Sequence, residues 1–592
     1  MFRVRTNKRI LAVCLVVLIV GVFFAGYQLG LMQTQNSTII IEPGSFTETA
    51  TYVIYGKDTN NDGILDIVYA KNGVTGVVEF SGTDVANVTQ SVINYVSNKG
   101  GGIVFIKQGT YELVPKGTDA SGNAYCLMLK SNVRLIGEGW NTVLRLKSGY
   151  RATLIYIENA ENIAVEKMYL DGNRPETAED FSSYYNCIIR AGTHSTGAQK
   201  REGAKNAIFR DLFLTRAERF AIDIAFSNNV TIENIWTREG SGDDDISISM
   251  FSKNIVVRNV YVINKTNPYN FAVSAGIEVE DGASKVLIDG AFIEASHNVT
   301  TGMCLMKVHD YVADEVAAQG MTDIVIKNTI IVGAKYGIYY KPINGCRRLT
   351  ISGVTIINPA EYGIVRYGLG SFESLVINNV KVINAGKLAA EAVPAMYIAL
   401  DKHVTIQSCE IINSTLGIKI YNCSYVQISG CRIYNNSYDG ITVYQSSFVS
   451  IVDNSIYNNG QEGWGVGIVV DTTSDVIIRG NNIFDDQNTP TQDRAIKIGS
   501  AVTNAVVTWN YIGQHTSTPY IKDDSGTAII KHNNGFTTEN SGIATGLSNG
   551  ATIAHGLADI PSIVVLTCLN ATYDGVPVIV SWNKELTDAT NI

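Results

Sequence analysis

The chain has 592 residues, a formal net charge of −9 at pH 7 and a pI near 5.4, with 45% hydrophobic and 17% charged residues. That hydrophobic share excludes a disordered chain, and acidity without a basic cluster beyond the N-terminus argues against nucleic acid as a partner. Nine cysteines in so long a chain do not make a disulfide framework.

Residues 1–9 carry Arg3, Arg5, Lys8 and Arg9, and Ile10 to Met32 is a nearly uncharged apolar run. Such a run is long enough to cross a hydrocarbon core of about 30 Å, and the preceding positive charge should stay in the cytoplasm. The expectation is a single-pass signal-anchor over 10–32 that leaves the C-terminal region extracellular. The alternative is a cleaved signal peptide and a secreted protein.

Residues 33–79 read as a linker and a β-hairpin. Within them Asp58-Thr59-Asn60-Asn61-Asp62-Gly63-Ile64-Leu65-Asp66 sets oxygen-bearing side chains at loop positions 1, 3, 5 and 9, with Gly at 6. That order wraps Ca²⁺, the only cofactor the sequence suggests, and makes Asp58, Asn60, Asp62 and Asp66 candidate metal ligands. Position 12, where a bidentate Glu belongs, is Tyr69. The other reading is a plain hairpin between Thr51 to Tyr55 and Ile67 to Ala70 with Asp62-Gly63 in the turn.

From about residue 80 to 535 a short V-x-I phrase recurs every 22 to 31 residues in the regular stretches, as in Val230-Thr231-Ile232, Val404-Thr405-Ile406 and Val449-Ser450-Ile451. A second phrase precedes most copies, as in Ala221-Ile222-Asp223-Ile224, Gly276-Ile277-Glu278-Val279 and Gly440-Ile441-Thr442-Val443. Units this short cannot bury an apolar face alone and must stack. Alternation selects strands, with β-branched residues inward and the middle residue outward. The expected fold is all-β, a parallel β-helix of about 13 coils and roughly 60 Å, at one strand spacing per coil. Asn454, Asn481 and Asn510 share one repeat position and predict an inward amide ladder. Cys409 and Cys431 hold that position in the two preceding coils, either as a disulfide or as two buried thiols.

Chemistry concentrates in the middle coils. Gly242-Asp243-Asp244-Asp245 leads into the inward Ile246-Ser247-Ile248 strand. The alternation sets Asp245 on the solvent face with Asp223 one coil earlier and Glu278 and Glu280 one coil later. Diagonal neighbours such as Asp223 and Asp245 would lie about 8 Å apart, within range for inverting glycoside hydrolysis. The next coils add Lys307, His309, Tyr339, Lys341 and Arg366 on the same face. Asp243, Asp244, Asp245 and Lys307 are the catalytic candidates. Asp223, Glu278, Glu280, His309, Tyr339, Lys341 and Arg366 are the substrate-binding ones. Acid followed by base along a groove suits a polyhydroxylated chain. The opposing reading is a solvated sheet face with ordinary Gly-Asp-Asp turn chemistry.

The repeat, with Gly100-Gly101-Gly102-Ile103-Val104-Phe105-Ile106, Gly109-Thr110-Tyr111 and Val133 to Gly139 near its start, resembles the right-handed parallel β-helix of the pectate lyase and polygalacturonase superfamily. The resemblance implies that a helix, read over Val92 to Asn98, caps the solenoid. Gly242-Asp243-Asp244 with Ile246-Ser247-Ile248 looks like the G-D-D-x-I-x-I motif of glycoside hydrolase family 28, whose aspartates supply acid and base. The chain departs from that family where Phe220 stands in the place of an aspartate, Ala275-Gly276 replaces His-Gly, and only Lys307 remains of R-I-K. A lyase of the superfamily would instead use Ca²⁺, held here by Asp223, Asp244, Asp245 and Glu278, with Lys307 or Lys341 as base.

Residues 543–592 read as a small antiparallel module in which Gly550 to Leu557, Ile560 to Thr567 and Val578 to Trp582 are strands. It resembles His-Gly-Leu modules of tail fibres and surface proteins, and three strands so short invite completion in a homo-oligomer. Two functions therefore stand: a membrane-anchored extracellular β-helix that binds and cleaves polysaccharide, as glycosidase or lyase, or a noncatalytic surface adhesin or fibre.

Overall fold

The computed structural model describes residues 50–174, 186–193, 202–271, 273–306, 320–342 and 345–538, with isolated positions between 551 and 577. Ala50–Ile592 forms one compact unit. Two long sheets build it. One has 16 strands, running from Gly117–Thr118 to Ile521–Asp523, and the other has 29. Apart from the short pairing of Gly117–Thr118 with Ala124–Leu129, every pairing in the 16-stranded sheet is parallel.

The alternation read from sequence sets the register. Ile222, Ile246, Ile277, Met303 and Ile338 lie directly opposite one another in successive strands and are fully buried. Each such side chain contributes roughly 1.5–3 kcal/mol by leaving water. In the 29-stranded sheet, Ala160–Asp171, Ala204–Thr215, Asn228–Arg238 and Lys253–Lys265 bend where Lys167, Asp211, Asn234 and Asn259 take positive φ. Asn and Asp tolerate that conformation, so they recur at the corners. Glycine is required elsewhere for a different reason. A Cβ on Gly417 would lie 1.9 Å from the Gly440 carbonyl oxygen in the next coil.

The expected ladder is present. Asn454 Nδ2 donates to Asn481 Oδ1, and Asn481 Nδ2 to Asn510 Oδ1, each at 2.9 Å. It continues into Asn533, which accepts from Asn510 at 2.9 Å. Each amide also donates to a strand carbonyl, as Asn481 does to Ile451 O at 2.9 Å. Cys409 and Cys431 are free, buried thiols. A second ladder at another corner runs through Asn436, Asn459 and Gln492 to His515 Nδ1.

Ahead of the solenoid, Tyr52–Lys57 and Ile67–Asn72 pair antiparallel. The helix spans Val85–Asn98, seven residues longer at its start than expected, because Asp84 caps it by accepting from Asn87 N at 3.0 Å. Its buried Val88, Val92, Ile93 and Val96 pack on the first strands. The membrane expectation is corrected: among the described residues no helix is long and apolar enough to cross a membrane, and residues 10–32 lie outside the described residues. Of the C-terminal module, only a pairing of Thr572–Tyr573 with Val576–Pro577 is described. Most of the first two expected strands, including His555, and all of the third, Val578 to Trp582, fall outside the described residues.

Candidate functional site

The outward column of the 16-stranded sheet gathers side chains from separate coils. In order along the axis it reads Arg190, Asp223, Ser247, Glu278, Cys304 and Tyr339, each directly opposite the next. Two residues further along each strand, Glu280, Met306 and Lys341 form a parallel column. Asp223, Glu278, Glu280, Tyr339 and Lys341 therefore share a face, as expected. The acids are not solvated, however. Asp223 is wholly buried, and Asp244, Glu278 and Glu280 keep 2–4% of their surface.

Burial forces each carboxylate to find a partner or stay protonated. Asp223 faces Arg190, with Nε 3.5 Å from Oδ2, and Arg190 also binds Asp119 at 3.1 Å. The consecutive Asp243, Asp244 and Asp245 separate into three environments. Asp243 accepts from Arg219 Nε at 3.1 Å. Asp244 accepts from the backbone N–H of Ala275 at 2.6 Å and is hydrogen-bonded to Glu278. Asp245 immediately precedes the strand Ile246–Ser249 and accepts from Thr237 Oγ1 at 2.6 Å and Ser241 Oγ at 2.5 Å. Lys265 Nζ lies 3.7 Å from Asp245 and donates to Ser241 O and Asp243 O. Asp223 lies opposite Ser247, so Asp245 is one rung and two residues away as expected, but the solvated groove is corrected: both acids are buried, and Asp245 closes a turn.

Burial, then the neighbouring Glu278, pushes Asp244 well above the carboxylate range. Glu278 is raised by burial and then by Glu280, and Glu280 by burial and then by Asp281. These groups resist ionising together. Glu278 Oε1 is buried without a hydrogen-bond partner. Lys265 is lowered by burial, its neighbouring aspartates opposing the shift.

Downstream of the acids the face turns aromatic. Tyr336 and Tyr339 stack with centroids 5.7 Å apart, and Tyr339 and Tyr367 lie 5.3 Å apart. Burial raises Tyr339 to about 12, so it stays a neutral donor. Lys341 is exposed. Arg366 is corrected: it lies opposite the inward Tyr340, is buried, and donates to Gly368 O and Gly370 O, so it ties down a loop. Lys307 and His309 lie outside the described residues.

Sequence reasoning missed Arg190 and Lys265. Arg190 was accessible, because Cys187-Ile188-Ile189-Arg190-Ala191 places it at the outward position of its strand by the same alternation used for Asp223. Lys265 lies 20 residues beyond Asp245 in sequence and carried no signal.

In the Asp58–Asp66 loop the side chains turn onto their own backbone. Asp58 accepts from Asn61 N and Gly63 N at 2.7 and 2.9 Å, and Asp62 from Ile64 N at 2.8 Å. Asn60 Nδ2 lies 3.1 Å from Asp62 and 3.4 Å from Asp66. Among the described residues no group of three or more His, Cys, Asp or Glu side chains is placed to hold a metal ion. No metal-dependent step is derived.

Comparison with known proteins agrees with this architecture. Residues 376–556 match a family model described as a right-handed beta helix region. The chain is 26% identical over 243 residues to mannuronan C5-epimerase AlgE3 of Azotobacter vinelandii, an alignment covering 36% of this chain and 13% of that protein. It is 32% identical over 110 residues to AlgE4 of the same organism, covering 17% of this chain and 19% of the relative. The chain thus spans well under two thirds of the length of these curated relatives. Among solved structures it is similar to PfbA, a surface adhesin of Streptococcus pneumoniae, with 15% identity, a TM-score of 0.40, and coverage of 71% of this chain and 88% of that one. The match over residues 376–556 and the two parallel sheets agree on a right-handed parallel β-helix fold.

Proposed function

We propose that this β-helix binds a polysaccharide along the outer face of the 16-stranded sheet and modifies it by proton transfer at the Asp244–Glu278 pair. The observation that carries the proposal is the pair itself: two carboxyls in hydrogen-bond contact, both raised by burial, one with an unsatisfied oxygen. Strongly perturbed groups on one face of a rigid scaffold are the usual mark of acid–base chemistry. The epimerase names of the partial relatives support a reaction of this class, since inverting a carbon centre removes and returns a proton.

Contact between the two carboxyls argues against cleavage by this pair through an inverting mechanism, which needs a gap of about 6.5–9.5 Å for water. Tyr339, neutral and two strands beyond Glu278, is placed to donate to a sugar oxygen. The test is incubation of the full chain with neutral and acidic polysaccharides in deuterated water. Deuterium at a sugar carbon, lost in Asp244→Asn and Glu278→Gln, supports the proposal. New reducing or unsaturated ends without exchange would support cleavage instead.

The noncatalytic rod is the second reading, favoured by the use of Asp245 and Arg366 as structural ties. It predicts glycan binding with no conversion by wild type. A Ca²⁺ role at the Asp58–Asp66 loop is an independent proposal, read by calorimetric titration of wild type against Asp62→Ala.

A further inference from the structure

Beyond the acidic coils the same outer face reverses its charge. Lys341, Lys419 and Lys497 project from it, and among the described residues none forms an ion pair. Lys335, Lys381 and Lys522, by contrast, each lie within 3.3 Å of a carboxylate. Lys341 and Lys497 are exposed, and Lys419 is partly so, its ammonium 5.8 Å from the Tyr444 ring.

Their spacing is regular. Three strand steps separate Lys341 from Lys419, through Ile364–Arg366 and Pro394–Ala399. Three more separate Lys419 from Lys497, through Ile441–Tyr444 and Val466–Asp471. At one strand spacing per step, each interval is about 14 Å along the axis. Tyr397 and Tyr444 lie on strands between the lysines, and Tyr421 shares the strand of Lys419, all on the same face. Asp471 stands in the neighbouring column, opposite Tyr444, so the track is not uniformly positive.

Lysines at equal axial intervals, Lys419 and Lys497 in the column of Tyr339 and Lys341 in the column beside it, with tyrosines among them, match a straight ligand whose negative charges repeat. We infer that coils from Tyr336 to Ile498 form a binding track for a linear polyanionic polysaccharide, gripped by Lys341, Lys419 and Lys497. This rests on the reading that the face takes a polysaccharide, and adds that the polymer is anionic and is held mainly downstream of the carboxyl pair. A folded protein partner would not present charge at so regular an interval.

The experiment measures binding of fluorescently labelled linear polyuronate and neutral linear glucan oligomers of equal length to the full chain by anisotropy. The expectation is that Lys419→Gln with Lys497→Gln weakens polyuronate binding tenfold or more, and that raising salt from low to high concentration does the same to wild type. Lys522→Gln, whose lysine is paired with Asp524, should change affinity less than twofold. Equal affinity of the double variant and wild type for polyuronate, or preference of wild type for the neutral glucan, would overturn the inference. If the neutral glucan binds and exchanges its carbon-bound protons, this inference fails and the proposed reaction stands. If lysine-dependent polyuronate binding occurs without exchange, the reverse holds.

Discussion

Asp244 and Glu278 hold their place at a cost to the fold. Each has its pKa raised in the folded state by burial. A raised carboxyl contributes stability at pH below the unfolded value near 4, and that contribution is lost as pH rises through the folded pKa. Glu278→Gln is therefore expected to abolish conversion while raising the denaturation midpoint at pH 8, the gain vanishing near pH 4. An unchanged midpoint at pH 8 would show that the pair is not strained by charge. His515 has the opposite sign. Burial lowers it to about 4 from 6.5, so the unfolded chain binds the proton first. Its contribution, up to about 3 kcal/mol, is complete above pH 6.5 and lost as pH falls toward 4. Chemical denaturation of His515→Gln against wild type across this range should show the slope disappear.

At the scale of single elements, corners decide what strands alone cannot. Asn481 makes hydrogen bonds to Ile451 O, Asn454 and Asn510, all buried. Asn481→Ala should cost about 3 kcal/mol, because it leaves buried donors and acceptors on two coils unpaired. The turn around Asp245 works similarly. Removing Lys265 as Lys265→Met should cost about 3–5 kcal/mol by stranding Asp245, and Asp245→Asn in the same chain should restore part of it. Urea unfolding of both variants reads the difference. The ladder was legible because one position recurs with one residue type. The fate of Asp245 was not, since alternation places a side chain above or below a sheet but does not say when a strand has yet to begin. Asp245 precedes Ile246, the first residue of its strand.

Across the whole molecule, repetition made the fold legible and hid part of the site. Inward columns such as Ile222, Ile246 and Ile277 follow directly from the V-x-I and I-x-V phrases. The shared face of Asp223, Glu278, Glu280, Tyr339 and Lys341 followed from the same rule. Arg366 obeys it too, since two residues past the inward Ile364 it falls opposite the inward Tyr340, so the outward place expected for it departed from the alternation. Burial of the acids was invisible too, since it depends on how segments pack around the coils. Equivalent coils also make a prediction. Ser424 lies opposite Ser447, Val426 opposite Val449 and Ile428 opposite Ile451. Excising Ser424–Ser446 should join Cys423 to Ser447 in register and leave a folded rod one strand spacing, about 4.8 Å, shorter. Loss of cooperative unfolding in that variant would refute interchangeability.

The three lysines of the track belong to coils that touch only their nearest neighbours. A polymer held at all of them acts as a splint across the seams, and local opening anywhere beneath it must first release the ligand. Occupancy should then appear as slower amide exchange in strands far from any contact, rising with ligand concentration as mass action requires.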